Sequence, residues 1–555
     1  MGPRRAAAPL VALAAAGPWS ACVVGTVTQD GDKDEGEERC TGGENQPPMP
    51  PSILSPASGR LDVIPDDLVI RLSEFVDPDA GDEHRATDVE IWRMAGGEQV
   101  LRVWSARVED PAHLGEVRLE DGTFMAGAGL EEWADYAVVA RHRDSADCSA
   151  WSDWSDPSAF RTDDGSTYWF GGDIRDVHID LPQGSWDAIQ AQANPPGCVP
   201  YIRQYYPGNV TVDGQTYAGA GVRTKGGCGS SRDLNGKASF KINLSWDDPN
   251  VSGCPETRRH AGLKRLTLNN QVQDRSFVHE RLAYHFYKLM GVPTPRAQHA
   301  RVFVNGQLWG LYLNLESIDR RMLSRWFGNN QGMLYEGTYW CDLLPGNVPP
   351  PEMDESPEDS TAYCFSRKFH PNTCEPPDPS GDPETFAPLR ELAKALDDMP
   401  EGSFYPEIEQ FFAFDTFLSM WAVEEIINHW DGYTGHITNN YRVYHDPSTG
   451  KWTIIPTGLD QSFTDQGMQV TALLATRCMA EEDCRAAYRA RLAEAVDVFE
   501  QADLAAMAAQ IRDQIAPYVM EDPRKEGSYD QFVSGVNATI NFIQARPAQV
   551  RASLQ

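Results

Sequence analysis

At 555 residues the chain is too long for one hydrophobic core, and about two to four domains are expected. Its 41% hydrophobic and 10% aromatic content is that of a chain that folds. Its 81 acidic residues outnumber 48 Lys and Arg for a formal net charge of -33, which excludes nucleic acid as a partner because such a surface repels a polyanion.

Residues 1–22 read as a signal segment. Arg4 and Arg5 precede an apolar stretch from Pro9 to Gly17, too short to cross a bilayer, and Ser20 and Ala21 lead into Cys22. That ending resembles the bacterial lipobox and implies diacylation of Cys22. Trp19 departs from the usual aliphatic residue, and simple cleavage near Ala21 is the alternative. Either reading exports the protein, with a lipid anchor as its membrane contact on the extracytoplasmic side, periplasmic or at the cell surface. The chain has 11 cysteines; setting Cys22 aside leaves an even number with no C-x-x-C spacing, which suits disulfides in an oxidising compartment rather than zinc. Cys478 with Cys484 would close a small loop.

Residues 23–51 are acidic and end in Pro47-Pro48-Met49-Pro50-Pro51, the composition of a flexible tether. Residues 52–164 alternate in short runs such as Val89-Glu90-Ile91-Trp92 and Tyr136-Ala137-Val138-Val139-Ala140, which predicts a β-sandwich. The Tyr136 run followed by Trp151-Ser152-Asp153-Trp154-Ser155 resembles the end of a fibronectin type III domain. Asp77, Asp79 and Asp82 read as a polar turn, with an edge calcium site as the rarer reading.

Residues 165–555 read as α+β. Ser276 is placed to cap a helix from Phe277 to Met290, and Asn305-Gly306 predicts a hairpin between Arg301–Val304 and Leu311–Leu315. A Pro/Cys-rich insertion occupies 338–383. Helices are expected at 384–398 and 404–429, and the tail from 481 reads as several amphipathic helices.

Three segments carry the chemistry. The first is Val222-Arg223-Thr224-Lys225-Gly226-Gly227 with Ser230-Ser231 and Lys237-Ala238-Ser239-Phe240-Lys241-Ile242. The second is Gly310-Leu311-Tyr312-Leu313-Asn314-Leu315-Glu316-Ser317-Ile318-Asp319. The third joins Asn428-His429-Trp430-Asp431-Gly432-Tyr433, Asn439-Asn440-Tyr441 and Pro456-Thr457-Gly458-Leu459-Asp460. In this order and spacing they resemble the CotH family of spore-coat atypical kinases. The resemblance implies an atypical protein-kinase-like domain that uses ATP and magnesium, or manganese in its place, to phosphorylate Ser or Thr of an exported protein.

Phosphoryl transfer needs cations for the phosphates, oxygen ligands for the metal, and a carboxylate that orients the acceptor hydroxyl. A hairpin from Tyr441 to Ile455 brings Asn440 and Asp460 together as metal ligands, with Asp431 upstream as the base. Lys241, paired with Glu316, is the leading phosphate cation by analogy with protein kinases, and Lys237 is the weaker choice. Arg223 and Lys225 precede Gly226-Gly227, where backbone could approach phosphate closely. The family's Trp-Asp-x-Asp is here Thr457-Gly458-Leu459-Asp460, so one carboxylate is missing and Gln461 or a water would replace it. That loss, with the scarcity of ATP outside the cytoplasm, motivates the rival reading of a non-catalytic binding or assembly protein. A metal-dependent hydrolase built on His429, Asp431 and Asp460 is the weaker alternative.

Overall fold

Alternating runs at the start of the chain pair as two sheets. The computed structural model describes residues 45–554, apart from 66, 67, 126–128, 132, 147–149, 164, 193–202, 247, 249–257, 328, 329, 331, 352–363 and 368–385. Cys22 and the signal segment lie outside the described residues, as do Cys40, Cys148, Cys198, Cys254 and Cys374.

The strands are β1 (Ile53–Ser55), β2 (Arg60–Val63), β3 (Val69–Leu72), β4 (His84–Ala95), β5 (Glu98–Val108), β6 (Glu116–Arg118), β7 (Thr123–Phe124), β8 (Asp135–Asp144) and β9 (Ser158–Thr162). One sheet has the order β1-β3-β6 and the other β2-β9-β8-β4-β5-β7. Every second residue of β4 and β8 (Val89 and Ile91, Tyr136, Val138 and Ala140) enters a core shared with Trp104 and Phe160. Trp151 and Trp154 lie along β8, with the Arg141 guanidinium 4.6 and 4.7 Å from their ring centres. Asp88 fixes that arginine and Arg107 at 2.8 Å each.

The proline-rich end of the expected tether is packed down instead. Asn45 donates to Asp144 at 3.0 Å, Gln46 N to Asp79 at 2.6 Å, and Met49 N to Val76 O at 2.8 Å. Pro48 and Pro51 are buried, so apolar ring area stabilises a segment whose acidic composition alone suggested coil. Asp77, Asp79 and Asp82 bring ligand oxygens within 4.8 Å of one another, and Asp77 accepts from Asp79 N as in an Asx turn.

Helix α1 (Ser166–Phe170), strand β10 (Arg175–Asp180) and helix α2 (Gln183–Ala191) open the second part. Strands β11 (Tyr206–Val212), β12 (Gln215–Lys225), β13 (Ser239–Asn243) and β14 (Arg265–Asn269) precede helix α3 (His279–Leu289); β15 (Ala297–Val304) and β16 (Gln307–Leu315) follow it. The strands close a seven-stranded barrel, β10-β11-β12-β13-β14-β16-β15. Val177, Val222, Phe240, Ile242, Leu268 and Tyr312 help to fill it. Asn305 and Gly306 both have positive φ, 49° and 76°, as a two-residue hairpin turn requires. Helix α3 starts two residues later than expected. Ser276 does not cap it; Asp274 accepts from Ser276 N at 2.8 Å and from His279 N at 2.9 Å.

Helix α4 (Arg320–Trp326) leads to a four-stranded sheet, β18-β17-β19-β20, of β17 (Met333–Gly337), β18 (Phe365–Arg367), β19 (Tyr441–Asp446) and β20 (Lys451–Pro456). Before β19 come α5 (Ala387–Asp398), α6 (Phe404–Ile408) and α7 (Phe414–Ile427); the helix expected over 404–429 is therefore broken in two. Helices α8 (Leu473–Ala480), α9 (Glu482–Gln501), α10 (Leu504–Glu521) and α11 (Tyr529–Leu554) form the tail. Disulfides join Cys341 to Cys364 inside the insertion and Cys478 to Cys484.

The tail is fastened to the barrel by a buried ion pair. Lys237 Nζ lies 2.6 Å from Asp522 Oδ2, with both side chains at most 1% exposed, so Lys237 faces the tail and not a phosphate. Leu311 N also donates to Asp522, and a Cβ on Gly310 would collide with its carboxylate. No helix among the described residues is long and apolar enough to cross a membrane.

Candidate phosphate and metal site

The carboxylates are placed by the end of α7 and by the β19–β20 hairpin. Asn428 ends α7 in the left-handed conformation, φ 52°, and His429 N reaches back to Glu424 O at 2.9 Å. Buried Glu424 then accepts from Tyr433 N at 2.9 Å and Thr434 N at 3.0 Å, which folds the 429–434 loop onto the helix and leaves Asp431 facing the hairpin. Thr457 N bonds Asn440 O at 2.8 Å and closes the open end of that hairpin. Asp460 follows on a single 3-10 turn, Leu459–Gln461.

Asp431 and Asn440 are thereby in contact, Asn440 Nδ2 donating to Asp431 Oδ2 at 2.8 Å. Gln461 Nε2 lies 3.4 Å from the same oxygen. Burial, and next the charge of Asp460, push the Asp431 carboxyl up to about 8, while the Asn440 hydrogen bond works against them. Asp460 is likewise raised by burial and then by Asp274, with Lys225 acting in the opposite sense. His279 Nδ1 lies 2.9 Å from Asp460 O and ties the 3-10 turn to α3.

Lys225 supplies the facing cation. It ends β12 in the same cross-strand row as Ser239 and Asn269, and its ammonium donates to Asn269 Oδ1. Asn269 Nδ2 lies 3.2 Å from each carboxylate oxygen of Glu280, in the first turn of α3, and Gln271 Nε2 donates to the same carboxylate at 2.6 Å. Burial first, then Asp460, raises Glu280 to about 7, and Lys225 pulls it down. Burial lowers the Lys225 ammonium, with Glu280 and Asp460 opposing that shift.

The pairing of Lys241 with Glu316 is not what the structure shows. Lys241 is two rows further along the sheet, opposite Arg223 and Thr267, about 7 Å from the Lys225 row. Glu316 is gripped by Arg296 at 2.7 Å and by Arg325, which fasten β16 to α4. Arg223 stacks on Tyr205, its guanidinium 4.9 Å from the ring centre. The lysine–glutamate relation runs through Lys225, Asn269 and Glu280 instead. Glu280 was missed because the apolar face of its helix drew the reading, and nothing local marks a first-turn glutamate as functional.

Gly458 is left-handed, φ 63°, and a Cβ there would collide with Asn440 Oδ1. The Asn440 amide therefore occupies the space that a side chain at 458 would claim. At the Gly226-Gly227 turn the close approach is taken by Tyr339, whose hydroxyl lies 3.1 Å from the point where a Gly227 Cβ would stand. His429 is fully buried, 3.5 Å from Asp431 and 3.7 Å from Glu424, with burial lowering its pKa to about 4. No second histidine joins it among the described residues that could hold a metal ion.

A hard divalent cation fits this donor set. Asp431 Oδ1 is buried without a hydrogen-bond partner, and the groups beside it, Asn440 and Asp460, offer oxygen.

The mixed α and β domain behind the all-β one sets carboxylates and an amide opposite a lysine. The family model for CotH kinase protein matches residues 222–550, well over half of the chain, and the chain belongs to the CotH family. Inner spore coat protein H of Bacillus subtilis (strain 168) is 22% identical over 314 residues, covering 54% of this chain and 80% of that protein. Invasin CotH2 of Rhizopus delemar is 25% identical over 240 residues, covering 41% of this chain and 35% of the invasin, about a third of its length. The solved structure of the Helicobacter pylori proinflammatory kinase CtkA overlaps 59% of this chain and 96% of its own, at 8% identity and a TM-score of 0.23, which carries no argument.

Proposed function

We propose that this protein is an exported, Cys22-anchored kinase that transfers the γ-phosphate of ATP to Ser or Thr of extracytoplasmic proteins. The observation that supports it most is Asp431 held by Asn440 beside Asp460, across from Lys225 and Glu280. Asp431 orients the acceptor hydroxyl and takes its proton as the oxygen–phosphorus bond forms and the bond to ADP breaks. Lys225 holds a phosphate oxygen, and Asn269 and Glu280 position its ammonium. Asn440 and Asp460 would hold magnesium or manganese, which when bound neutralises phosphate charge.

The test is incorporation of label from γ-labelled ATP, with magnesium, into a generic Ser/Thr-rich protein. Wild-type chain should label it, and Asp431→Ala and Asp460→Ala should not. The second reading, a coat or surface assembly protein without catalysis, draws on Gly458, where the family's first carboxylate is absent. Absence of both labelling and nucleotide binding in the wild type would favour that reading instead.

A further inference from the structure

Tyr339 stands at the apex of a turn that is held from several sides. Thr338 N and Oγ1 donate to Cys364 O at 3.1 and 3.0 Å, Trp340 N to Ile437 O at 2.6 Å, and Cys341 N to Thr438 O at 3.2 Å. The Cys341–Cys364 disulfide closes the base of the turn. Its anchors, Ile437 and Thr438, belong to the loop between Asp431 and Asn440, so Tyr339 moves with the carboxylates.

Across from it the 226–231 loop has its own frame. Ser231 N donates to Gly227 O at 2.9 Å, Gly227 N to Ser230 Oγ at 3.3 Å, and Arg203 to Gly226 O at 2.9 Å. Gly226 and Gly229 hold positive φ, 115° and 80°. The Tyr339 hydroxyl closes against Gly227 and the Cys228 backbone N–H donates toward it, while burial first, and then the charges of Asp431 and Asp460, raise its pKa. A neutral phenol suits that place, because it accepts from the amide without adding charge to two neighbouring carboxylates.

We propose that Tyr339 is a latch: its hydroxyl occupies the ground a nucleotide's terminal phosphates would need, and it pins the glycine loop over Asp431 and Asp460 until nucleotide displaces it. An arriving phosphate oxygen then takes over the Cys228 N–H. The loop half of this statement stands by itself, and the nucleotide half rests on the phosphoryl-transfer reading.

Hydrogen–deuterium exchange on the full chain separates the two halves. In Tyr339→Phe, which keeps the ring and removes only the hydroxyl, amides 226–231 should exchange about 3- to 10-fold faster, while β11 and β16 stay unchanged. Unchanged exchange across 226–231 overturns the latch, whatever the chain does with nucleotide. By calorimetry with magnesium and a non-hydrolysable ATP analogue, Tyr339→Ala should bind about 5-fold tighter than wild type, because the plug is gone. Weaker binding overturns it. A wild type that binds no analogue removes the nucleotide reading, and the exchange result still decides the latch.

Discussion

Lys225 and Lys241 lie on the same face of one sheet, two residues apart in register, and only the first comes within reach of Glu280 through Asn269. On the proposed transfer reaction, that offset singles out Lys225 as the lysine that matters. Lys225→Met should lower the labelling rate about 100-fold or more, the usual scale for removing one preorganised charge, and Lys241→Met should stay within about 3-fold. Equal losses in the two variants would refute the assignment. Gly458 gives a second prediction. Restoring the family carboxylate as Gly458→Asp should reduce activity and cost about 1–2 kcal/mol in denaturant unfolding, because the new Cβ meets Asn440 and the backbone is left-handed. Asp431, Asn440 and Asp460 were legible in the sequence because one hairpin gathers them from a span of 30 residues. Glu280 and Tyr339 were not, because their partners are reached only through the closed barrel and the Cys341–Cys364 turn.

Elements add their own predictions. Helix α3 carries Glu280 and is started by Asp274, which occupies two backbone amides and the Ser276 hydroxyl. Asp274→Ala should cost about 1–2 kcal/mol of stability and lower transfer, seen as a shifted denaturation midpoint alongside the labelling rate. Ser276 drew the capping expectation because Ser before an apolar run is the local signal; the fold chose a carboxylate two residues earlier that reaches more donors. In the sandwich, His142 is fully buried against His84, ring centres 4.2 Å apart, and burial lowers its pKa to about 3. Folded chain therefore refuses a proton that unfolded chain takes near pH 6.5. Its stabilisation is complete above that pH and lost as pH falls toward 3, at up to about 1.4 kcal/mol per unit. Calorimetric melting should show the sandwich transition dropping between pH 7 and 5, and His142→Phe should flatten that dependence. Strand alternation made these sheets readable in sequence, whereas the docking of 45–51 depends on burial of Pro48 and Pro51, which local composition does not disclose.

The barrel and the C-terminal helices are joined where Lys237 meets Asp522. Breaking a buried pair leaves one charge stranded, so Asp522→Leu and Lys237→Met should each cost about 3–5 kcal/mol, and the double variant markedly less than their sum. A double-mutant cycle in denaturant checks this, and additive losses would show that the pair is not coupled. The clamp also gives Gly310 of the second sequence motif a reason that its own neighbourhood does not supply. It is small so that a carboxylate 212 positions later can sit against it. That separation has a bearing on biogenesis. A chain emerging from a ribosome presents the barrel strands, which end at Leu315, long before Asp522, so Lys237 has no counter-charge until nearly the whole polypeptide has appeared.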